Sequence, residues 1–463
     1  MIDPWIDIVR PPPTPVFAAR ARRAGRPLAS RVMIIVVTQD LQRQNLRHLY
    51  ADVAWFGVLA GSALAFLSVY AARLGASPFQ IGLLTAGPAG LNLAFSLQAG
   101  RWLEGRPFPT VTFHSSVYHR LIYLLLIPLP WLLPQSRQVW GLVALVLLGA
   151  IPGTLLAIGF NAAYADLVPA DQRAHVTGRR NALLALTLTT SSLVSGQILA
   201  ATPFPFNFQL VFALGAGGAV MSSYHLYWLR PTKAAEDKVE APGGSTGALM
   251  RPGSLRLPDA LRLAAGLRYL TRSQGKPLLR ADLLRGPFGR VLLAFLIFYS
   301  VQHLPIPLFP VFWVRELGLS DRSISIGQAG FNAAMFLGSI AAGSIRGRLG
   351  HHRLILLGVT LYGLYPLMTG LATNSLLFWA ASLAGGVVWG FLSVGLIDHL
   401  FDHVPTGDRP AHMAFHNLVL NLGILSGTLV GPLMADRFGL RETLFISAAL
   451  RLACVGLFLP RKR

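Results

Sequence analysis

The sequence predicts an all-α integral membrane protein, with twelve transmembrane helices in two pseudo-symmetric six-helix halves. Three observations carry this expectation: a composition too apolar for a water-soluble core, a series of hydrophobic spans of bilayer length, and an internal repeat.

Of 463 residues, 53% are hydrophobic and only 13% charged, with a mean hydropathy of +0.53. Soluble domains carry about 25% charged residues, so this chain needs lipid as its solvent. Runs such as "RVLLAFLIFYSVQHLPIPLFPVFWV" and "LLFWAASLAGGVVWGFLSVGLI" reach the ~20 residues that cross hydrocarbon. Lipid offers the backbone no hydrogen-bond partner, which makes those runs helical.

The spans fall near 51–72, 79–100, 117–134, 139–165, 181–202 and 206–229, then near 290–313, 322–345, 353–372, 376–400, 413–434 and 441–460. The organisation expected is a basic, disordered tail over 1–45, a first half over 46–230, a cytoplasmic linker over 231–288 and a second half over 289–463. Within the linker, "LPDALRLAAGLRYL" has a helical apolar period suited to lying along a membrane surface. The first 32 residues lack the apolar core of a signal peptide. They read as a tail, or as an upstream extension if translation starts at Met33.

Lysine and arginine sort by loop. With both termini in the cytoplasm, 32 fall on the cytoplasmic side and six outside (Arg73, Arg137, Arg315, Arg322, Arg437, Arg441), leaving Arg120 and Arg451 inside helices. This asymmetry sets orientation and accounts for the net charge of +21 without a nucleic-acid partner. A multi-pass protein of the plasma or inner membrane is expected. A single cysteine, Cys454, excludes an intramolecular disulfide.

A shift of 243 residues lays "LGASPFQIGLLTAG" over "LGLSDRSISIGQAG". A shift of 236 lays "ADLVPADQR" over "FDHVPTGDR", matching Asp166, Val168, Pro169, Arg173 and Asn181 to Asp402, Val404, Pro405, Arg409 and Asn417. Two six-helix halves in the same orientation form the parallel-repeat plan of many secondary transporters.

These residues resemble the major facilitator superfamily over residues 45 to 460. The family's loop signature after the second helix opens here with Gly100 and Glu104 and keeps Arg106, while its basic close is degraded. The second copy keeps Gly343, Arg348, Gly350 and Arg353 and lacks the acid. By resemblance these residues, with Asp166, Arg173, Asp402 and Arg409, form a cytoplasmic gate. "GILSGTLVGP" resembles the family's antiporter signature, displaced to the eleventh helix: Gly423, Gly427, Gly431 and Pro432 would pack helices closely. The arginine that the family carries in its fourth helix is replaced by Gly149, which departs from its proton-antiport pattern.

In such a fold the cavity lies between the halves at mid-membrane, where polar side chains are costly and mark function. The candidates for a substrate or proton pathway are Tyr299, Gln302 and His303, just before the helix-breaking Pro305 and Pro307, with Asn92, Asn332 and Arg451. Each has an alternative: an interhelical hydrogen bond for the neutral groups, packing on a carbonyl or snorkelling for Arg451. Asp52 is expected to be solvated at a helix end, with pairing to a cytoplasmic arginine or a proton relay as the alternatives. In "GLIDHLFDHVP", Asp398, His399, Asp402 and His403 have the look of a zinc site. The repeat instead makes Asp402 a helix exit and leaves Asp398, His399, His412 and His416 as a protonatable cluster peculiar to the second half, with no metal.

The function expected is secondary active transport of a small solute, with a coupling proton, leaning to export of an amphipathic compound by a monomer in the bilayer. An uptake symporter or facilitator of the same fold is the alternative. His403 and Asp408 match the spacing of an acyltransferase motif, which keeps a membrane-embedded enzyme or a sensor as remote rivals. No residue pattern calls for a cofactor.

Overall fold

The computed structural model describes residues 27–103, 108–169, 171–230, 284, 286–404 and 409–459. The helix expected in the linker, the tail before Pro27, Glu104, Arg106 and Asp408 lie outside these residues.

The described residues form twelve helical rods. Those of the first half are α1 (Pro27–Leu59, continuing through a π-turn at Ala60–Leu64 into Ala65–Arg73), α2 (Pro78–Leu103), α3 (Phe108–Leu126), α4 (Gln135–Leu167), α5 (Arg173–Ala201) and α6 (Phe206–Tyr227). The second half has α7 (Pro287–His303, resumed at Leu308–Val311 and ending in a π-turn at Phe312–Glu316), α8 (Asp321–Leu349), α9 (His351–Tyr362 and Leu364–Leu371), α10 (Ser375–Asp402), α11 (Arg409–Phe438) and α12 (Leu440–Ala453). Among the described residues, nine helices are long and apolar enough to cross a membrane. Large apolar side chains such as Leu148, Leu186, Leu337 and Leu433 stand exposed on the outside of the bundle, where a soluble protein would not hold them in such numbers.

Two boundaries differ from expectation. Helix α1 reaches back to Pro27, so the boundary placed at residue 45 falls inside a helix. Helix α5 begins at Arg173 rather than near residue 181, which draws Arg180 into the helix and out of the loop where its charge had been counted.

The repeat extends to irregularities. The 243-residue shift carries the π-turn of α1 onto His303–Pro307, where α7 breaks. Pro305 and Pro307 cannot donate backbone hydrogen bonds, so α7 cannot run straight through. In α1, with no proline at that point, the same irregularity takes the form of a π-turn.

The halves meet through α2 on α11 and α5 on α8. One apolar core spans both halves at the end carrying the α1–α2 and α7–α8 connections, with Phe66, Tyr70 and Phe212 beside Phe309, Phe312 and Trp313. The same end holds two reciprocal bridges. Arg73 Nη2 donates to the Leu319 carbonyl at 2.6 Å, and Arg315 Nη2 donates to the Ala76 carbonyl at 2.7 Å. The shift of 243 makes Ala76 and Leu319 equivalent positions. Arg73 also pairs with Asp321 at 2.9 Å.

Within each half the first helix packs tightly on the fifth. A Cβ on Gly427 of α11 would strike the Ser300 carbonyl and His303 of α7, and Gly423 and Gly431 lie as close to Tyr299 and Leu304. The predicted packing motif therefore abuts the broken stretch of α7.

Candidate functional site

A cavity of about 490 Å³ lies between the halves. The first half contributes only apolar groups, Ala60, Leu64 and Ala65 from α1 and Leu188 from α5. The second half supplies Gln302, Ile306, Phe309 and Trp313 from α7, Gln328, Phe331 and Asn332 from α8, Tyr362 and Tyr365 from α9, Phe378, Ser382 and Trp389 from α10, and Arg451 from α12. Both irregular stretches, the π-turn of α1 and the break of α7, face this space, where non-helical backbone is tolerated at membrane depth.

Arg451 is 2% exposed, so it does not snorkel to an interface. Its Nη2 donates to the Gln302 carbonyl at 2.7 Å and its Nη1 to the Tyr362 carbonyl at 3.3 Å. The guanidinium lies 4.1 Å from the centre of the Tyr362 ring. The break after His303 explains part of this: Ile306 N donates to the His303 carbonyl at 3.3 Å rather than to Gln302 one turn back, which leaves the Gln302 carbonyl for α12. Nε of Arg451 and Oε1 of Gln302 are buried without a hydrogen-bond partner among the described residues. Asn332 holds the Gln328 carbonyl of its own helix at 2.8 Å.

Three of the six pathway candidates, Gln302, Asn332 and Arg451, thus meet at one cavity. The others face helix contacts. The Tyr299 hydroxyl and His416 Nε2 share a hydrogen bond of 2.9 Å between α7 and α11. His303 Nδ1 donates to the Tyr299 carbonyl at 2.8 Å and packs beside Gly427. Asn92 accepts from the Thr154 hydroxyl, joining α2 to α4. The bonds of Tyr299 and Asn92 are the interhelical ones named as alternatives, while that of His303 stays within α7.

Asp52 is neither solvated nor at the surface. It is 4% exposed, with Arg180 Nη2 at 3.5 Å, Arg120 Nη2 at 3.7 Å and the Ser222 hydroxyl donating at 2.5 Å. Arg120 also donates to Ser223 at 2.9 Å, and the Arg180 guanidinium lies 4.6 Å from the Phe160 ring centre. Four helices of the first half, α1, α3, α5 and α6, are joined by this cluster.

The gate candidates divide. Glu104 and Arg106 lie outside the described residues, as do the side chains of Gly100's surroundings, Asp166 and Arg409. Asp402 lies 3.2 Å from His351 Nε2. Arg173 Nε donates to the Val168 carbonyl at 3.1 Å, closing the loop between α4 and α5. Arg348 and Arg353 are exposed, Gly343 has open space beside it, and Gly350 ends α8 with φ +80°.

The second-half protonatable cluster is split. Asp398 pairs with Arg346 at 2.7 Å. His399 packs against His403 and His351, with ring centres 4.7 and 6.2 Å apart. His416 stays with Tyr299, and His412 packs on Phe288 at 4.4 Å. The Phe295 ring lies between His399 and His416, with centres 6.3 and 5.4 Å away. Among the described residues no group of three or more His, Cys, Asp or Glu is placed to hold a metal ion.

An aromatic-rich cavity was expected from the sequence, but the rings of its wall were not singled out. Its signal was present as one helical face: Gln302, Ile306, Phe309 and Trp313 recur at four, three and four residues along α7, and Phe378, Ser382 and Trp389 at four and seven along α10.

A family model described as Major Facilitator Superfamily matches residues 291–463. Multidrug resistance protein 2 of Bacillus subtilis (strain 168) is 27% identical over 147 residues, which cover 32% of this chain and 36% of that protein. Quinolone resistance protein NorA of Staphylococcus aureus (strain Mu50 / ATCC 700699) is 25% identical over 142 residues, 31% and 36% of the two chains. The chain thus matches about a third of the length of these curated relatives. Solved structures match along nearly all of it. The nucleoside transporter NupG superposes with a TM-score of 0.65 at 12% identity, over 90% of this chain and 98% of that one. A bacterial homologue of the iron transporter ferroportin, in its inward-facing state, gives 0.64 at 14% identity over 91% and 98%. These likenesses show the fold.

Proposed function

We propose that the chain is a member of the major facilitator superfamily, a secondary active transporter that exports a small amphipathic solute by alternating access. The observation that carries this reading is the cavity of about 490 Å³ between the halves, walled by the aromatic rings of α7, α8, α9 and α10. A volume of this order suits a ligand of drug size, and flat rings accept many apolar bodies through stacking and edge contacts. The partial likeness to two drug-resistance proteins favours export over uptake.

In this conformation the mixed core and the reciprocal arginine bridges close one end of the cavity. By the distribution of lysine and arginine that end faces outward. Transport then requires the halves to part at this end and close at the other, exposing the cavity to each side in turn.

Reconstitution into proteoliposomes tests the reading. A panel of labelled aromatic compounds is followed with and without an imposed pH gradient. Movement of at least one compound is expected, slowed in a Trp389→Ala variant, and acceleration by the gradient identifies the proton as the coupled ion. Failure of the folded protein to move any compound of the panel would defeat it.

A further inference from the structure

Arg451 is a buried cation with no anion paired to it among the described residues. The cavity wall contains no aspartate or glutamate among the described residues, and Arg451 is its one charged group. Ion pairing serves the buried arginines of the first half, where Arg120 and Arg180 both reach Asp52. Arg451 has two carbonyls and a ring face instead.

A guanidinium has five N–H donors. Two of Arg451's are directed at backbone carbonyls, while Nε has no partner. Carbonyl dipoles and a π-face offset only part of the cost of removing a charge from water. A fully hydrogen-bonded anion offsets more, and a planar carboxylate matches the fork of a guanidinium. Gln302 stands beside it, its amide oxygen without a partner among the described residues and its side chain hydrogen-bonded to Tyr362. A cationic compound, in contrast, would meet a positive charge and no carboxylate.

We infer that the cargo is an amphipathic organic anion, an acid group on an aromatic body, with Arg451 as the counter-ion in the cavity and the rings of Phe309, Phe331 and Trp389 around the apolar part. The inference rests on the transporter reading for its cargo, but the binding site stands on the cavity alone.

Three probes of one size separate charge from shape: 1-naphthoate, 1-naphthamide and 1-naphthylmethylammonium. Each is titrated into the purified protein in detergent, with the fluorescence of Trp313 and Trp389, both in the wall, as the signal. Naphthoate is expected to bind about tenfold tighter than either other probe, the factor of a charge-assisted hydrogen bond. Arg451→Gln should remove that advantage and leave naphthamide within about twofold, while Arg451→Lys keeps part of it. Equal affinity for the three probes, or preference for the cation, overturns the anion inference. So does an Arg451→Gln protein that still prefers naphthoate. If Arg451→Gln does not fold, the ranking on the native protein decides. Counterflow of labelled naphthoate in proteoliposomes separates the two claims. Binding without movement removes the transporter reading and keeps the anion site, whereas movement of all three probes at one rate does the reverse.

Discussion

The two halves place different chemistry at equivalent positions. The repeat shifts carry Asp52 onto Phe295 and Arg180 onto His416. In the first half this crossing holds a carboxylate 3.5 Å from a guanidinium; in the second it holds two rings with centres 5.4 Å apart. The glycines also change sides. In the first half Gly57 and Gly61 of α1 lie against Thr187 and Ser191 of α5, whereas in the second Gly423 and Gly427 of α11 lie against the equivalents of Gly57 and Gly61, Ser300 and Leu304 of α7. One backbone geometry is thus met by two sets of side chains. The first half satisfies its buried charges internally and gives the cavity an apolar wall. The second leaves its one deeply buried charge, Arg451, facing the cavity. Pairing separates a charge that holds helices together from one that, among the described residues, meets only carbonyls and a ring face.

The largest expected effect is at Asp52. Asp52→Asn leaves two buried guanidinium groups without their carboxylate and should cost about 3–5 kcal/mol, read as a lowered unfolding temperature in detergent. At the equivalent position, Phe295→Leu should cost less than about 1.5 kcal/mol. Similar losses at both positions would break the contrast between charged and aromatic crossings. A cycle with Asp52→Leu and Arg180→Leu sharpens it: the double variant should recover part of the single loss, by about 0.5–3 kcal/mol of coupling.

Next is the helix crossing. Gly427→Leu forces a side chain into the α7 backbone and should destabilise by about 1–3 kcal/mol. The equivalent residue, Ser191, already carries a Cβ, so Ser191→Ala should be near neutral by the same measurement. Loss at Ser191 with none at Gly427 would reverse the assignment of which helix yields space.

The smallest effect concerns the bridges at the closed end. Arg73→Gln removes a partly exposed ion pair of about 1 kcal/mol, enough to change a two-state ratio about fivefold. Cys454 is buried, so a cysteine introduced at Ala76, itself 1% exposed, can report opening of this end by its rate of labelling. Faster labelling is expected, and an unchanged rate would mean that the apolar core alone closes it.

The helices and their repeat were legible because lipid imposes a coarse rule, and long apolar runs with basic loops on one side satisfy it. Gln302, Asn332 and Arg451 were legible as polar groups at costly depth. Depth along a helix does not reveal which neighbour a face meets, however. That is why Tyr299 and Asn92 read like cavity residues yet bond between helices, and why His303 bonds within α7. Only part of the Asp52 cluster was legible: pairing with a cytoplasmic arginine was one expectation, but its three charges come from α1, α3 and α5, and Arg180 looked like a loop residue until α5 was seen to start at Arg173. The split of His399 from His416 depends on one intervening ring, Phe295, which no spacing rule reveals.

The crossed arginine bridges have a mechanical consequence. Each ends on a main-chain oxygen, Leu319 or Ala76, so the acceptors survive any change of loop side chain. The halves of such a repeat are related by an axis along the membrane normal. A slip of one half past the other along that axis stretches one bond as it slackens its mate. Tilting the halves apart lengthens both at once. The clasp therefore stiffens the molecule against shear while leaving it soft to rocking.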